Sequence, residues 1–321
     1  MPTDAATPLD LGLADDAAPV DTGAADADTL DLGPVDSGAP VDSGAPVDSG
    51  APVDSGAPDG GFRDDAGCPL PSGFVGDSTV AGLPSGIVLW LQGEHGVATL
   101  ADGVSVCRWE DISGHDRHLS PAGASLPQYA LAGVAGRPAV VFSTNTRLER
   151  GDVLGLSPTQ GRTIAARTQI ADLTRRFGTL IQGDRSTNWR YLELEQNTFQ
   201  TVGQRVGVYL TANAYDSPVA TSSAARTHVY AISTIAAGTS LPGALTYAVD
   251  GNLQPLTRTP GGNGPSGPGN NLVWDFTGAS FTSIGETAAG GFTGGAVGEV
   301  LVFDHALTTQ ERVAVEAYLG R

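Results

Sequence analysis

From residue 86 onward the chain alternates short apolar runs with clusters of Gly, Ser, Asn and Pro. The runs are GIVLWLQ (86–92), VSVCRWE (104–110), RPAVVFS (137–143), TIAARTQI (163–170), FGTLIQG (177–183), WRYLELE (189–195), QRVGVYL (204–210), RTHVYAIST (226–234), ALTYAVDG (244–251) and AVGEVLVFD (296–304). Their length, their β-branched and aromatic content and the turn formers between them predict strands of an all-β domain. In WRYLELE, period two sets Trp189, Tyr191, Glu193 and Glu195 on one face and Arg190, Leu192 and Leu194 on the other, one wet and one buried. The end of the chain breaks the pattern. LTTQERVAVEAYLGR has a capping Thr308 or Thr309, an early-turn Glu311 and an apolar side of Val313, Val315, Ala317 and Leu319, which predicts one short helix.

No comparable pattern precedes residue 68. Residues 34–57 read PVDSGA four times in succession, with nothing larger than Val to stack. Proline stiffens such a chain, glycine loosens it and regular aspartates repel, so it cannot bury enough surface to offset its ordering entropy. A six-residue period also marks β-helices, but those need a larger recurring apolar residue. The expected organisation is therefore a disordered acidic linker over 1–67 and one folded domain over 68–321. Of the formal net charge of −18 the linker carries −14, from fifteen Asp and one Arg, and the domain −4. A chain of this sign has no basic stripe for phosphates, which excludes nucleic acid as a partner. No apolar run approaches the roughly 18 residues of a transmembrane helix, so no membrane insertion is expected.

The start, MPTDAATPLD, is not of signal-peptide type, yet the linker composition is that of a segment following one. An extracellular or cell-surface location is expected, with the export signal upstream of this sequence. Only Cys68 and Cys107 are present, too few for a thiolate metal site. In an exported protein they read as one disulfide closing a loop of about forty residues; the alternative is two buried free thiols.

Several side chains are candidates for chemistry. WEDISGHDRHL (109–119) is dense in acids and histidines. In place it reads as a turn, with Asp111 and Ser113 bonding backbone amides and Gly114 taking positive φ. Calcium needs several oxygen ligands; Asp111, Asp116 and Asp184 are weak candidates in separated loops, without a D-x-D-x-D-G signature, and calcium is the one cofactor the residues leave open. Zinc at His115 and His118 is disfavoured by their loop spacing and by the claim of Cys68 on Cys107. Trp189, Tyr191 and Glu193 form the weak ligand-site candidate, since aromatic faces stack on the apolar side of a sugar ring; core filling explains the same aromatics. Glu193 and Glu195 share a face but lack the third acid of an E-x-D-x-x-E strand, so no catalytic residue is assigned. No G-x-S-x-G elbow and no phosphate loop occur.

GIVLWLQGEHG, VSVCRWEDISGHDRHLS, LPQYALAGVAGRPAVVFSTNTRLE and GAVGEVLVFDHALTTQERVAVEAYLG together resemble the bacterial laminin-G-like, concanavalin A-like jelly-roll domains, over about residues 84–320. The resemblance implies a two-sheet antiparallel sandwich with a short C-terminal helix, often carbohydrate- or protein-binding, sometimes calcium-binding and usually not catalytic. The expectation is a monomeric, non-catalytic binding module, not an enzyme, that presents carbohydrate or surface-ligand recognition on an extended linker. A structural or adhesion module with a surface protein partner is the alternative, and a glycoside hydrolase with an unrecognised site the second.

Overall fold

The structure, a computed structural model, describes residues 82–97, 101–157, 159–170, 177–183, 191–196, 206–210, 213–217, 227–234, 245–254, 257–258, 280–285 and 294–321. The chain divides into two units, Met1–Gly56 and Ala57–Arg321; every described residue belongs to the second. The PVDSGA repeats, Cys68, Asp184 and Trp189 lie outside the described residues.

The strands are β1 Ile87–Gln92, β2 Ser120–Pro121, β3 Gln128–Val134, β4 Arg137–Phe142, β5 Leu148–Arg150, β6 Arg162–Ile170, β7 Phe177–Gly183, β8 Tyr191–Gln196, β9 Val206–Leu210, β10 Asn213–Ser217, β11 Thr227–Thr234, β12 Leu245–Val249, β13 Asn252–Leu253, β14 Thr257–Arg258, β15 Phe281–Ile284 and β16 Gly295–Phe303. They form two antiparallel sheets. The first runs β13-β12-β11-β6-β16-β4-β3, with β1 beside β16; the second runs β14-β10-β9-β8-β7-β15-β5-β2. The core lies between them, where Leu89, Val140, Phe142, Ile164, Val300 and Val302 of the first sheet meet Leu148, Leu180, Leu192 and Ile284 of the second. This is the all-β sandwich that the alternating pattern predicts.

One predicted strand is absent. Residues 104–110 make only isolated bridges, Ser105 with Gln128 and Trp109 with Leu119. Val106, Cys107, Trp109 and Glu110 are all buried, yet the backbone pairs at single positions instead of along a ladder. The apolar content there recorded burial, not pairing.

The helix α1, Thr309–Leu319, opens with a capping box in which Thr308 and Glu311 satisfy each other's backbone. Its buried face matches the expected one at Val315 and Leu319 and differs elsewhere: Val313, 51% exposed, and Ala317 face outward, while Arg312 and Glu316 point inward. Arg312 and Glu316, each 6% exposed, neutralise each other at 2.6 Å, which lets two charges occupy the seam. Val315 and Leu319 then pack with Trp90, Ala165, Leu301 and Phe303 on the outer face of the first sheet.

A bulge shapes that face. Between Val297 and Glu299 the register of β16 against β6 slips by one, so Val297 pairs with Thr168 and Glu299 with Arg167. Val297 and Val300 both keep their places in the core, and the extra residue, Gly298, lets Glu299 turn to the other side.

Candidate functional site

The stretch 109–119 is a turn, and its acid is fully occupied. Asp111 Oδ1 accepts from the backbone N–H groups of Trp90 and Ser113, each at 2.9 Å, while Oδ2 accepts from Ser113 Oγ at 2.8 Å and the Arg117 N–H at 3.0 Å. Its own N–H donates to His118 Nδ1 at 2.9 Å, which leaves His118 Nε2 to meet Asp116 Oδ1 at 2.7 Å. Gly114 and Asp116 both take positive φ. Four donors leave no free lone pair for calcium on Asp111, and Asp116 is 91% exposed at the side chain, with His118 as its partner. Among the described residues no group of three or more His, Cys, Asp or Glu is gathered for a metal ion. Asp111 is thus committed to the turn, and Asp184, the third residue of the calcium expectation, lies outside the described residues.

Tyr191 and Glu193 fall on β8 at positions that alternate with the core residue Leu192. The aromatic-platform expectation for Trp189, Tyr191 and Glu193 concerns side chains outside the described residues. Among the described residues no cysteine is free, and Cys107 is disulfide-bonded.

A different constellation converges on the outer face of the first sheet, at the bulge. Trp90 and Gln92 come from β1, Glu94 from the turn after it, Arg137 from the start of β4, Arg167 from β6, Glu299 from β16 and Tyr318 from the last turn of α1. The turn is held where it is by Gly93, whose N–H donates to the Gly298 carbonyl at 2.9 Å. A Cβ on Gly93 would stand 2.5 Å from the Pro138 carbonyl oxygen, so only glycine brings Glu94 this close to β4.

Two carboxylates anchor the cluster in contrasting settings. Glu94 forks onto Arg137, with Oε1 accepting from Nε at 2.5 Å and Oε2 from Nη2 at 2.7 Å. That guanidinium holds the Glu94 carboxyl below the usual carboxylate range. Glu299 is 1% exposed. Its Oε1 accepts from Trp90 Nε1 and from the Tyr318 hydroxyl, both at 2.8 Å. Burial nevertheless pushes its carboxyl above the usual range, because these bonds and the nearby Arg167 offset only part of the desolvation. The Tyr318 phenol is driven up as well, by burial and by the Glu299 charge.

Side chains link the two acids. Gln92 Nε2 lies 3.3 Å from Glu94 Oε2 and 3.4 Å from the Tyr318 hydroxyl, which in turn donates to Glu299. The open side is formed by Glu94 and Arg137, whose side chains are 27% and 29% exposed, and by Arg321, stacked 3.6 Å above the Tyr318 ring. Chemically, the arrangement sets a carboxyl shifted down and a carboxyl shifted up on a single hydrogen-bonded path. Such a divergence of two carboxyl groups is what acid–base chemistry at one centre uses.

Sequence reasoning missed every one of these residues as site members, although all but Arg167 sit in the strings that carried the family resemblance. The available signal was a charge inside an apolar run: Glu299 within GAVGEVLVF and Arg167 within RTIAARTQI.

No family model matches the chain, and no curated protein matches it. Among solved structures it is similar to a GH54 α-L-arabinofuranosidase soaked with a cyclic sulfate inhibitor, at 14% identity and a TM-score of 0.49, covering 75% of this chain and 60% of that one. It is also similar to domain 4 of AbnA, a GH43 extracellular arabinanase from Geobacillus stearothermophilus in complex with arabinotriose, at 14% identity and a TM-score of 0.46, covering 67% of this chain and all of that domain. A third is the Trypanosoma rangeli sialidase, at 17% identity and a TM-score of 0.44, covering 79% of this chain and 34% of that one. The chain thus spans under two thirds of the arabinofuranosidase and about a third of the sialidase. The expectation of a non-catalytic binding module is corrected at this point. The similar chains bear glycosidase descriptions, and this chain's own Glu94 and Glu299 supply two carboxylates of opposite tendency.

Proposed function

We propose that the folded domain is carbohydrate-active and engages a glycan at the cluster of Gln92, Glu94, Arg137, Glu299 and Tyr318. The observation that carries this reading is the pair Glu94 and Glu299, one carboxyl lowered by Arg137 and one raised by burial, joined through Gln92 and Tyr318. Amide, carboxylate, guanidinium and phenol groups beside one another suit sugar hydroxyls, and the Glu94–Arg137 edge gives solvent-side access. In this reading Glu94 is the carboxyl whose charge Arg137 favours and Glu299 the one whose charge burial disfavours. Extracellular presentation on the linker, with Cys68 the disulfide partner of Cys107, belongs to the same proposal; its support is the linker composition and the count of two cysteines.

The test is the full chain, its Glu94→Gln form and its Glu299→Gln form, assayed on a panel of plant and bacterial polysaccharides for retention in affinity electrophoresis and for release of reducing ends. Retention that Glu94→Gln weakens supports the reading, and release that either variant abolishes assigns bond cleavage to the pair. Neither retention nor release on the whole panel overturns it.

A further inference from the structure

Arg167 is the one member of this cluster whose charge the surrounding side chains leave without a hydrogen-bonded partner. Its side chain is 2% exposed, and among the described residues its ion-pair partner is Glu299 Oε2 at 3.8 Å while Nε, Nη1 and Nη2 all lack a hydrogen-bond partner. A buried guanidinium without hydrogen bonds is costly, because its desolvation is only partly compensated. Arg137 is a like charge committed to Glu94, and Glu299 gives Oε1 to Trp90 and Tyr318 and brings Oε2 no nearer than 3.8 Å, an ion pair without a hydrogen bond. The guanidinium lies against Gly298, where a Cβ would stand 3.0 Å from Nε and 3.2 Å from Nη2. The bulge residue therefore gives Arg167 its place.

We propose that Arg167 is the carboxylate-recognising group of this site, and that the glycan it takes is acidic, a polysaccharide containing uronic acid. A planar guanidinium fork matches the two oxygens of a carboxylate, and each such bond is charge-assisted. Sugar hydroxyls alone satisfy the fork without neutralising it; a uronate does both. The inference rests on the carbohydrate reading above and narrows it to a substrate class.

Affinity electrophoresis of the full chain tests it, in gels containing polygalacturonate, alginate or hyaluronan, the carboxyl-reduced form of each, dextran sulfate, and a set of neutral glucans and arabinans. The expected result is retention by at least one polyuronate, weaker by about tenfold or more in its carboxyl-reduced form. Arg167→Met is expected to lose the same increment while melting cooperatively, and Gly298→Ala to weaken retention by crowding the guanidinium. Equal retention by acid and reduced polymers, retention by dextran sulfate and no polyuronate, or full retention by Arg167→Met overturns the inference. Retention on neutral glycans alone overturns it and leaves the carbohydrate reading standing, whereas no retention on any polymer removes both. If Arg167→Met fails to fold, the comparison of acid and reduced polymers on the unaltered chain decides.

Discussion

Trp90 Nε1 donates a 2.8 Å hydrogen bond to Glu299 Oε1, tying β1 to β16 across 209 positions of the chain. The bond is buried, and it orients the carboxyl that Tyr318 also contacts. Trp90→Phe keeps an aromatic ring in the outer cluster and removes the donor. Stability in urea is expected to fall by about 1–3 kcal/mol with an unchanged slope. A loss of a few tenths would mean that Tyr318 alone holds Glu299.

Acid titration of stability separates the two carboxylates. The Glu299 carboxyl is raised from its ordinary value of 4.5, so the unfolded chain releases that proton first as pH rises. The group's contribution is complete below 4.5 and is lost as pH climbs through the raised folded value. Glu94 is lowered from the same 4.5, so its contribution is present above that value and is lost as pH falls through the lowered one. Glu299→Gln is expected to gain stability relative to the unaltered chain on going from acid toward neutral pH, and Glu94→Gln to lose it. Urea midpoints across the acid range check both signs; parallel curves for either variant would contradict the assignment.

Asp111 holds the turn by accepting four hydrogen bonds from three residues. Asp111→Asn replaces one acceptor oxygen by a donor that faces the Ser113 hydroxyl and the Arg117 amide. The expected cost is about 1–3 kcal/mol by chemical denaturation. A melting temperature that calcium raises in the unaltered chain and not in the variant would return Asp111 to a ligand role.

Arg312 and Glu316 form an ion pair buried under α1. Removing one partner strands a charge, so Arg312→Met alone is expected to cost about 3–5 kcal/mol. The double change Arg312→Met with Glu316→Met is expected to recover most of that loss. A double-mutant cycle in urea reads the coupling directly, and additivity of the two single costs would show the pair to be uncoupled.

For the disulfide, thiol titration of the unfolded, unreduced chain is expected to find no reactive cysteine. Cys107→Ser is expected to cost about 2–5 kcal/mol and to expose Cys68 as one free thiol. Two reactive thiols in the unaltered chain would exclude the Cys68–Cys107 pairing.

Apolar runs such as Ile87–Gln92 and Arg137–Phe142 form strands where their composition and flanking turn formers predict them, and the cap at Thr308 with Glu311 was readable from four consecutive residues. Local rules suffice there, since strand and cap signals depend on neighbours in sequence. The strand expected at 104–110 failed because Val106, Cys107, Trp109 and Glu110 are buried by contacts from elsewhere in the chain, which no local pattern encodes. The helix face was misjudged for a related reason. Arg312 and Glu316 turn inward because each neutralises the other, and a polarity count placed them in water.

The sequence by itself determined the class of fold, the closing helix and the turn at 109–119, because hydrophobic period, caps and turn formers act over a few residues. Only the tertiary structure decided the candidate site. Glu94, Arg137, Arg167, Glu299 and Tyr318 are scattered along the chain, and they meet because β16 lies against both β1 and β6 and slips by one residue at Gly298. Register and a bulge are set by long-range pairing, and so is the burial that raises the Glu299 carboxyl and, among the described residues, leaves Arg167 without a hydrogen-bonded partner.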